Sequence, residues 1–200
     1  MSQPANDLRV KRSQKFLREA LIGLIEEKGF DALSVGEITE RAMVSRATFY
    51  RIYQDKYDLV EQIYNEAIQA LFDAISESGT EHPPQIWVRF FEHIAEYERL
   101  YRALLGRNGS PWFVSKMRVS LVELIKGYEQ HPHLQAAARA REPLLSDYVR
   151  DVLSTMMVET ITWWLEKGRP YSPKEMAWRS ASLAFAIFTE TSAWQSSSTQ

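Results

Sequence analysis

Residues 34–56 read Ser34-Val-Gly-Glu-Ile-Thr-Glu-Arg-Ala-Met-Val-Ser-Arg-Ala-Thr-Phe-Tyr-Arg-Ile-Tyr-Gln-Asp-Lys56, and two helix starts lie within them. Ser34 and Glu37 have capping-box spacing, in which the hydroxyl and the carboxylate each satisfy one orphan N–H of a first helical turn. They open a short helix that carries Val35, Ile38 and Ala42 inward. Ser45 caps a second short helix after Met43-Val44, anchored from behind by Val44, Phe49 and Ile52. Neither piece is long enough to be stable alone, so each must be held by something longer. Two short helices joined by a tight turn have the spacing of a helix-turn-helix. In such a unit Arg46, Ala47, Thr48, Tyr50 and Arg51 are free to meet a major groove. The small Ala47 permits close approach, Arg46 can donate two hydrogen bonds to guanine, and the Thr48 and Tyr50 hydroxyls fit phosphate oxygens. A compact helical subdomain with a solvated polar face has the same spacing, and pattern alone does not separate the two.

Outward from this stretch, helix signals continue in both directions. Leu17, Ala20, Leu21, Leu24 and Ile25 form one apolar stripe on a helix from about residue 9 to Lys28, which Gly29 ends and Phe30 follows. Asp55 caps a long helix whose apolar face runs through Leu59, Val60, Ile63, Tyr64, Ala67, Leu71 and Ile75. Pro83-Pro84 begins another that reaches about Leu105, and Ser110-Pro111 begins one that reaches about Tyr128. The segment from His131 is part loop and part short helix. One long helix spans residues 143–167, Gly168-Arg-Pro breaks it, and Ser172-Pro-Lys-Glu175 starts the last. Nothing resembles a β-hairpin or a βαβ alternation. The expected fold is all-α, with a flexible start at 1–8, a helix-turn-helix domain at 9–55, a regulatory and dimerisation domain at 56–194, and a flexible tail at 195–200.

Composition sets the class. A chain of 200 residues, 45% hydrophobic and 25% charged, forms one or two compact domains that bury roughly 70% of the unfolded surface. With no cysteine it has neither disulfides nor thiolate zinc sites, which suits a reducing compartment. No apolar run approaches a membrane span of roughly 18 residues, and MSQPANDLRV lacks the apolar core of a signal peptide, so a cytoplasmic protein without membrane contact is expected. The net charge of −2 divides into +1 for residues 1–60 and −3 for residues 61–200. That asymmetry is small, and only a local cluster can carry nucleic-acid binding.

Residues 9–60 resemble the DNA-binding domain of the TetR repressor family. The segment FDALSVGEITERAMVSRATFYRIYQDKYDLV is similar to that family's Ser/Thr-Val-x-x-Ile helix start, its Val-Ser-x-x-Thr-Phe-Tyr and its Lys before Leu. The resemblance implies a homodimeric repressor that binds double-stranded operator DNA and is released by a small molecule. It places Ser34, Thr48 and Lys56 at phosphates, Tyr50 at the backbone, and Arg46 and Ala47 nearest the bases, with Ser45 and Arg51 beside them. Lys56 at the positively polarised start of a long helix also has a physical reason to hold phosphate. Met43 departs from the pattern, standing where the family often has glycine. A left-handed backbone there costs about 1 kcal/mol.

All six tryptophans lie behind residue 60. A cavity lined by Phe90, Tyr97, Tyr101, Trp112, Phe113, Met117 and Trp163, with His93 to orient a polar group, would take an apolar or aromatic effector. Ordinary core and interface explain the same residues. On the penultimate helix Leu145, Val149, Val152, Met156 and Trp163 form one stripe, flanked by Leu144, Tyr148, Leu153, Ile161 and Trp164, more apolar surface than one partner face needs. On the last, Ala177, Ala181, Ala184 and Ala186 are small enough for close approach of helices, and Phe188 joins them as an interface candidate. In the TetR family this pair makes the dimer interface, which is the expectation here. Catalysis is the rival class. His82, His93, His131 and His133 match no zinc spacing, no nucleophile motif or phosphate loop stands out, and no cofactor is expected. A helical adaptor that binds only protein would leave Arg46, Tyr50 and Lys56 without a task.

Overall fold

The computed structural model of the chain describes residues 3–75, 85–129 and 146–197. Their regular elements are all helical: α1 (Gln3–Lys28), α2 (Val35–Arg41), α3 (Arg46–Ile52), α4 (Lys56–Ile75), α5 (Gln85–Glu96), α6 (Glu98–Leu105), α7 (Pro111–Glu129), α8 (Asp147–Glu166) and α9 (Pro173–Ser197). No strand occurs among the described residues, in keeping with the all-α expectation. The Pro83-Pro84 helix start, His82, the segment from His131 and Leu144-Leu145 lie outside them. The chain divides into two compact units, Met1–Glu66 with Arg99–Pro111, and Ala67–Glu98 with Trp112–Gln200. The division therefore falls inside α4 rather than at residue 55, and the residues around α6 return to the first unit. The first helix also begins at Gln3, inside the stretch expected to be flexible.

In the first unit α1 buries Leu17, Leu21, Leu24 and Ile25 and packs against α2 and α3. Gly29 ends it, for two separate reasons. Its φ of 81° suits glycine, and a methyl group there would stand 3.0 Å from the Asn108 carbonyl oxygen. The close approach is used, because the next amide, Phe30 N, donates to that same oxygen at 3.4 Å. The capping box expected at α2 is formed. Glu37 N donates to Ser34 Oγ at 3.3 Å, and Ser34 N and Oγ both donate to Glu37 Oε2, at 2.9 and 2.8 Å. The other oxygen of Glu37 is paired with Lys28, and Arg41 forks onto Glu27 with two bonds of 2.6 Å, so both ends of α2 are tied to α1. From α6, Arg99 bridges Glu19 and Glu26 at 3.2 and 3.0 Å.

In the second unit α9 packs along α5 and also against α8. The buried small residues Ala177, Ser180 and Ala181 lie on α9 and leave room for a close neighbour. Trp164 of α8 is wholly buried, its ring edge-on to Phe91 of α5 at 5.4 Å and its indole N–H donating to the Tyr171 carbonyl at 2.9 Å. Gly168 and Arg169 are left-handed, with φ of 71° and 57°, and Arg169 N caps α8 by donating to Trp164 O at 2.8 Å. A left-handed arginine carries strain, and this one is held by its Nε, 2.9 Å from Glu98. Ser172 and Glu175 form the second expected capping box, with Ser172 Oγ donating to Glu175 at 2.7 Å and Glu175 N to Ser172 Oγ at 3.3 Å.

The Lys28 ammonium and the two bonds donated by Ser34 Oγ and N hold the Glu37 carboxyl down to about 2 from an ordinary 4.5. A depressed carboxylate contributes stability that is full above the unfolded value and is lost as pH falls toward the folded one. Thermal melts of the parent and Glu37→Gln should therefore differ most near neutral pH and converge between about pH 4.5 and 2. A gap that stays constant across that window would mean the carboxylate does not stabilise the fold by its charge.

Candidate nucleic-acid interface

The turn between α2 and α3 is set by backbone bonds. Val44 N donates to Thr39 O at 3.0 Å and Met43 N to Glu40 O at 3.1 Å, while the Thr39 hydroxyl, itself buried, donates to Gly36 O at 2.9 Å. Met43 takes the left-handed conformation, with φ of 52°, and its side chain is 93% exposed. The glycine-like backbone is thus kept without the glycine, at a cost of about 1 kcal/mol. Behind α3, Phe49 is fully buried, Tyr53 is buried at its end, and Val44 and Ile52 are half-buried. The inner face is the expected one.

On the outer face Arg46, Ala47, Tyr50 and Arg51 are exposed, at positions i, i+1, i+4 and i+5 of one helix. Tyr50 is 58% exposed and its ring meets Phe49 edge-on at 5.4 Å, which steadies the hydroxyl end in solvent. Ser45 Oγ accepts from Thr48 N at 3.1 Å and lies 2.9 Å from Thr48 Oγ1. One of these two hydroxyls must donate to the other, so the pair offers a single O–H to an incoming phosphate. Ser34 is more committed still, since its hydroxyl proton points at Glu37. Arg46 lies back across α2, where a methyl at Gly36 would collide with its Nη2. Gly36 makes room for this guanidinium, which must swing outward to reach a base edge.

Lys56, expected at a phosphate, has its ammonium committed inside the unit. It is buried, and its ammonium donates to three main-chain oxygens, those of Phe30 at 2.9 Å, Asp31 at 3.0 Å and Leu33 at 2.8 Å. All three N–H bonds are used. The cation also lies 4.8 and 5.3 Å from the ring centroids of Phe30 and Tyr57. Burial pulls its pKa below the ordinary lysine value, with Asp31, Asp55 and Glu37 opposing that shift. The α4 start does not favour anions either, because Asp58 N is already capped by Asp55 at 2.8 Å and Asp58 accepts from Gln54 N at 2.7 Å. The helix-dipole reasoning that put Lys56 at a phosphate overlooked three carbonyls from a loop more than twenty residues earlier.

The residues expected around an effector belong to both units. Phe90, Phe113 and Met117 are buried in the second unit, and Trp112 stands half-buried with its ring 6.4 Å from Phe113. The rings of His93 and Tyr97 lie 4.6 Å apart at a tilt of 31°. Tyr101 belongs to the first unit, in α6. Trp163 is 43% exposed and stacks on Tyr171 at 6.3 Å; Trp164, one residue on, is the buried ring. Among the residues expected at a dimer interface, Val149, Ala177 and Ala181 are buried within their own unit. Met156, Ala184 and Phe188 are partly buried against Val149 and Leu153, and Val152 is 39% exposed. Sequence reading did not single out Trp178, Leu183 and Phe185, which stand outward on α9 with Tyr148 outward on α8. Their signal was the surplus of apolar residues on α9 beyond one stripe.

A capped recognition helix, presented on a three-helix support with arginine and tyrosine outward, defines a helix-turn-helix DNA-binding regulator. Residues 17–63 match the family described as bacterial regulatory proteins, tetR family. Residues 81–185, more than half of the chain, match the transcriptional regulator C-terminal region. The chain belongs to the TetR family of transcriptional regulators. The uncharacterized HTH-type transcriptional regulator YxbF of Bacillus subtilis (strain 168) is 34% identical over 70 residues, a match that covers 33% of this chain and 18% of that protein. The chain thus spans less than a fifth of that relative's length. A TetR transcriptional regulator from Streptococcus agalactiae 2603V has the same fold at a TM-score of 0.59 and 19% identity, over 90% of this chain and 97% of the other. The fatty acid degradation regulator FadR from Bacillus halodurans has it at 0.58 and 18%, over 86% and 94%.

Replacing Lys56 with methionine keeps the length of the side chain and removes all three donors. The folded state should lose about 3 kcal/mol, a fall of roughly 6–12 °C in thermal midpoint for a chain this size. The salt slope of any DNA binding should be unchanged, because no phosphate contact is lost. A Lys56→Met protein as stable as its parent but with a shallower salt slope would return Lys56 to the phosphates.

Proposed function

We propose that this chain is a cytoplasmic homodimeric repressor that binds an inverted-repeat operator and is released by a small apolar or aromatic effector. The observation that carries the reading is the outward set Arg46, Ala47, Tyr50 and Arg51 on a capped helix whose inner face is anchored by Phe49 and Tyr53. Arg46 and Ala47 read bases, Arg51, Tyr50 and the Ser45–Thr48 pair hold phosphate, and Ser34 contributes as the cap of α2.

Dimerisation is supported by what α8 and α9 leave in water. Tyr148, Val152, Trp163, Trp178, Leu183 and Phe185 are between 39% and 68% exposed. Large apolar residues gathered on two helices in this way mark a face that is covered by a partner. Release by an effector is supported by the chain path. The chain passes between the two units at 66/67, 98/99 and 111/112, each time within a helix, α4, α6 or α7. A ligand that prefers one arrangement of the second unit then biases the first through stiff segments, and about 2.8 kcal/mol of coupling suffices for a hundredfold loss of operator affinity.

Selection of bound duplexes from random fragments should return inverted repeats whose half-sites are about 34–36 Å apart or a multiple of it. Arg46→Ala should relax preference at one position per half-site by about 1–3 kcal/mol. Asymmetric single sites would count against the dimeric repressor, and no selectable sequence at all would favour the adaptor.

Two glutamate substitutions on α9 divide the helix into its faces. Phe185→Glu should leave a folded protein that sediments as a monomer, since the charge is tolerated in water but not in the interface. Ala181→Glu should instead lower stability by several kcal/mol, because it puts an unpaired carboxylate into the core of the unit itself. A dimer unmoved by Phe185→Glu would place the interface elsewhere.

A further inference from the structure

With Lys56 withdrawn, α3 itself offers only Arg46 and Arg51 as cations to a duplex. The first unit has another source. Arg9, Lys11, Arg12, Lys15 and Arg18 stand within ten residues of α1, with no acid among them. One acid of α1, Asp7, precedes the run, and the three that follow it are engaged: Glu19 and Glu26 by Arg99, Glu27 by Arg41. Arg9, Arg12 and Lys15 are exposed and make no ion pair among the described residues. Arg12 rests its guanidinium 5.4 Å from the ring centroid of Phe16, one turn on, which holds the charge outward on the face opposite Leu17, Leu21 and Ile25.

We propose that the front half of α1, through Arg9, Arg12 and Lys15, is a second DNA contact that grips the sugar–phosphate backbone beside each half-site. This rests on the function proposed above. α1 packs on both α2 and α3 within one unit. With 26 residues it is about 39 Å long, whereas the seven residues of α3 span about 10 Å. A major groove is about 12 Å wide, so a helix of that length packed behind one that fills the groove runs past its walls, and the walls are phosphate. Three exposed cations along one stretch of helix, Arg9, Arg12 and Lys15, fit that partner by charge, and contacts of this kind position the protein without reading sequence.

The test uses the full chain with Arg9→Gln, Arg12→Gln and Lys15→Gln combined, each replacement being a good helix former. Binding to the selected operator and to an unrelated duplex is followed by anisotropy between 50 and 200 mM salt. The variant should bind both duplexes more weakly, keep the parent's base preferences, and show a salt slope shallower by about 2.7 per protomer and about 5.4 for the dimer, so that the affinity ratio of parent to variant shrinks roughly 2000-fold across that range. Single replacements should each flatten the slope of the dimer by about 1.8, which serves should the triple variant fail to fold by circular dichroism. A folded triple variant with the parent's slope overturns this inference alone. A parent that binds no duplex overturns it together with the function on which it rests. If the variant keeps its slope on DNA but loses attachment to anionic vesicles that the parent binds, the stripe serves a lipid surface and the inference also falls.

Discussion

Three carbonyl oxygens, those of Phe30, Asp31 and Leu33, converge from the loop between α1 and α2 on one point, and the Lys56 ammonium occupies it. Of these three acceptors only Phe30 O receives a donor from the loop itself, Leu33 N at 3.2 Å, and each acceptor left without a partner costs about 1–3 kcal/mol. An ammonium suits the task because its three N–H bonds diverge; the planar fork of arginine matches two parallel acceptors rather than three convergent ones. The charge is partly stripped of water, which lowers the pKa, and Asp31, Asp55 and Glu37 restore part of the loss. The consequence is mechanical. The first residue of α4 is pinned to the end of α1 and the start of α2, so the helix that supports the turn and the helix that leaves the unit share one fixed origin.

That use of Lys56 alters the electrostatics of the whole unit. Residues 1–60 carry ten basic and nine acidic side chains, a balance that hides how they are arranged. Glu19, Glu26, Glu27 and Glu37 are spent on Arg99, Arg41 and Lys28. Exposed pairs of this kind add little stability, and their larger effect is to cancel charge over the C-terminal half of α1 and over α2. What stands exposed outside these pairs is Arg46 and Arg51 on α3 and Arg9, Arg12 and Lys15 on the front of α1. A nearly neutral unit thereby becomes one-sided, which a phosphate backbone can distinguish although a charge count cannot.

The helix-turn-helix was legible because its signals are local. Ser34 with Glu37, Ser45 with Thr48 and the apolar spacing of Val44, Phe49 and Ile52 are all settled within one or two turns, and each stands as expected. Met43 was legible as a strained position for the same reason, and its φ of 52° bears that out. Lys56 was not, since its partners lie 23 to 26 residues away and come from backbone atoms that carry no sequence signature. The rear helices failed differently. Periodicity identifies an apolar stripe but not which stripe faces the protomer's own core when a helix carries two. On α8 the sequence offered 149/152/156/163 as one face; the structure buries 149/153/157/161/164 and turns Val152 and Trp163 outward. A shift of one residue at Trp163-Trp164 exchanges a ring for the core with a ring for the surface.

The same ambiguity follows from a physical demand on these two helices. A helix that packs on one side needs apolar residues over roughly a third of its circumference, and α8 and α9 carry them over more than that. Inside the unit, Trp164 meets Phe91 and donates to Tyr171 O, while Val149 and Leu153 gather Ile125, Met156, Ala184, Ile187 and Phe188. The inner stripe is thus taken up by the protomer's own core, while Tyr148, Val152, Trp178, Leu183 and Phe185 stand in water and Trp163 is covered only in part, by Tyr171. Small residues divide along the same line, for Ala177 and Ala181 lie inside, where α9 runs along α5, and so they cannot also provide close approach to a second subunit. In the proposed dimer the contact is therefore made by rings and branched chains rather than by alanines. Aromatic anchors seated in a partner's surface can dominate the binding energy of such an interface, and their loss is felt singly rather than spread over the whole contact.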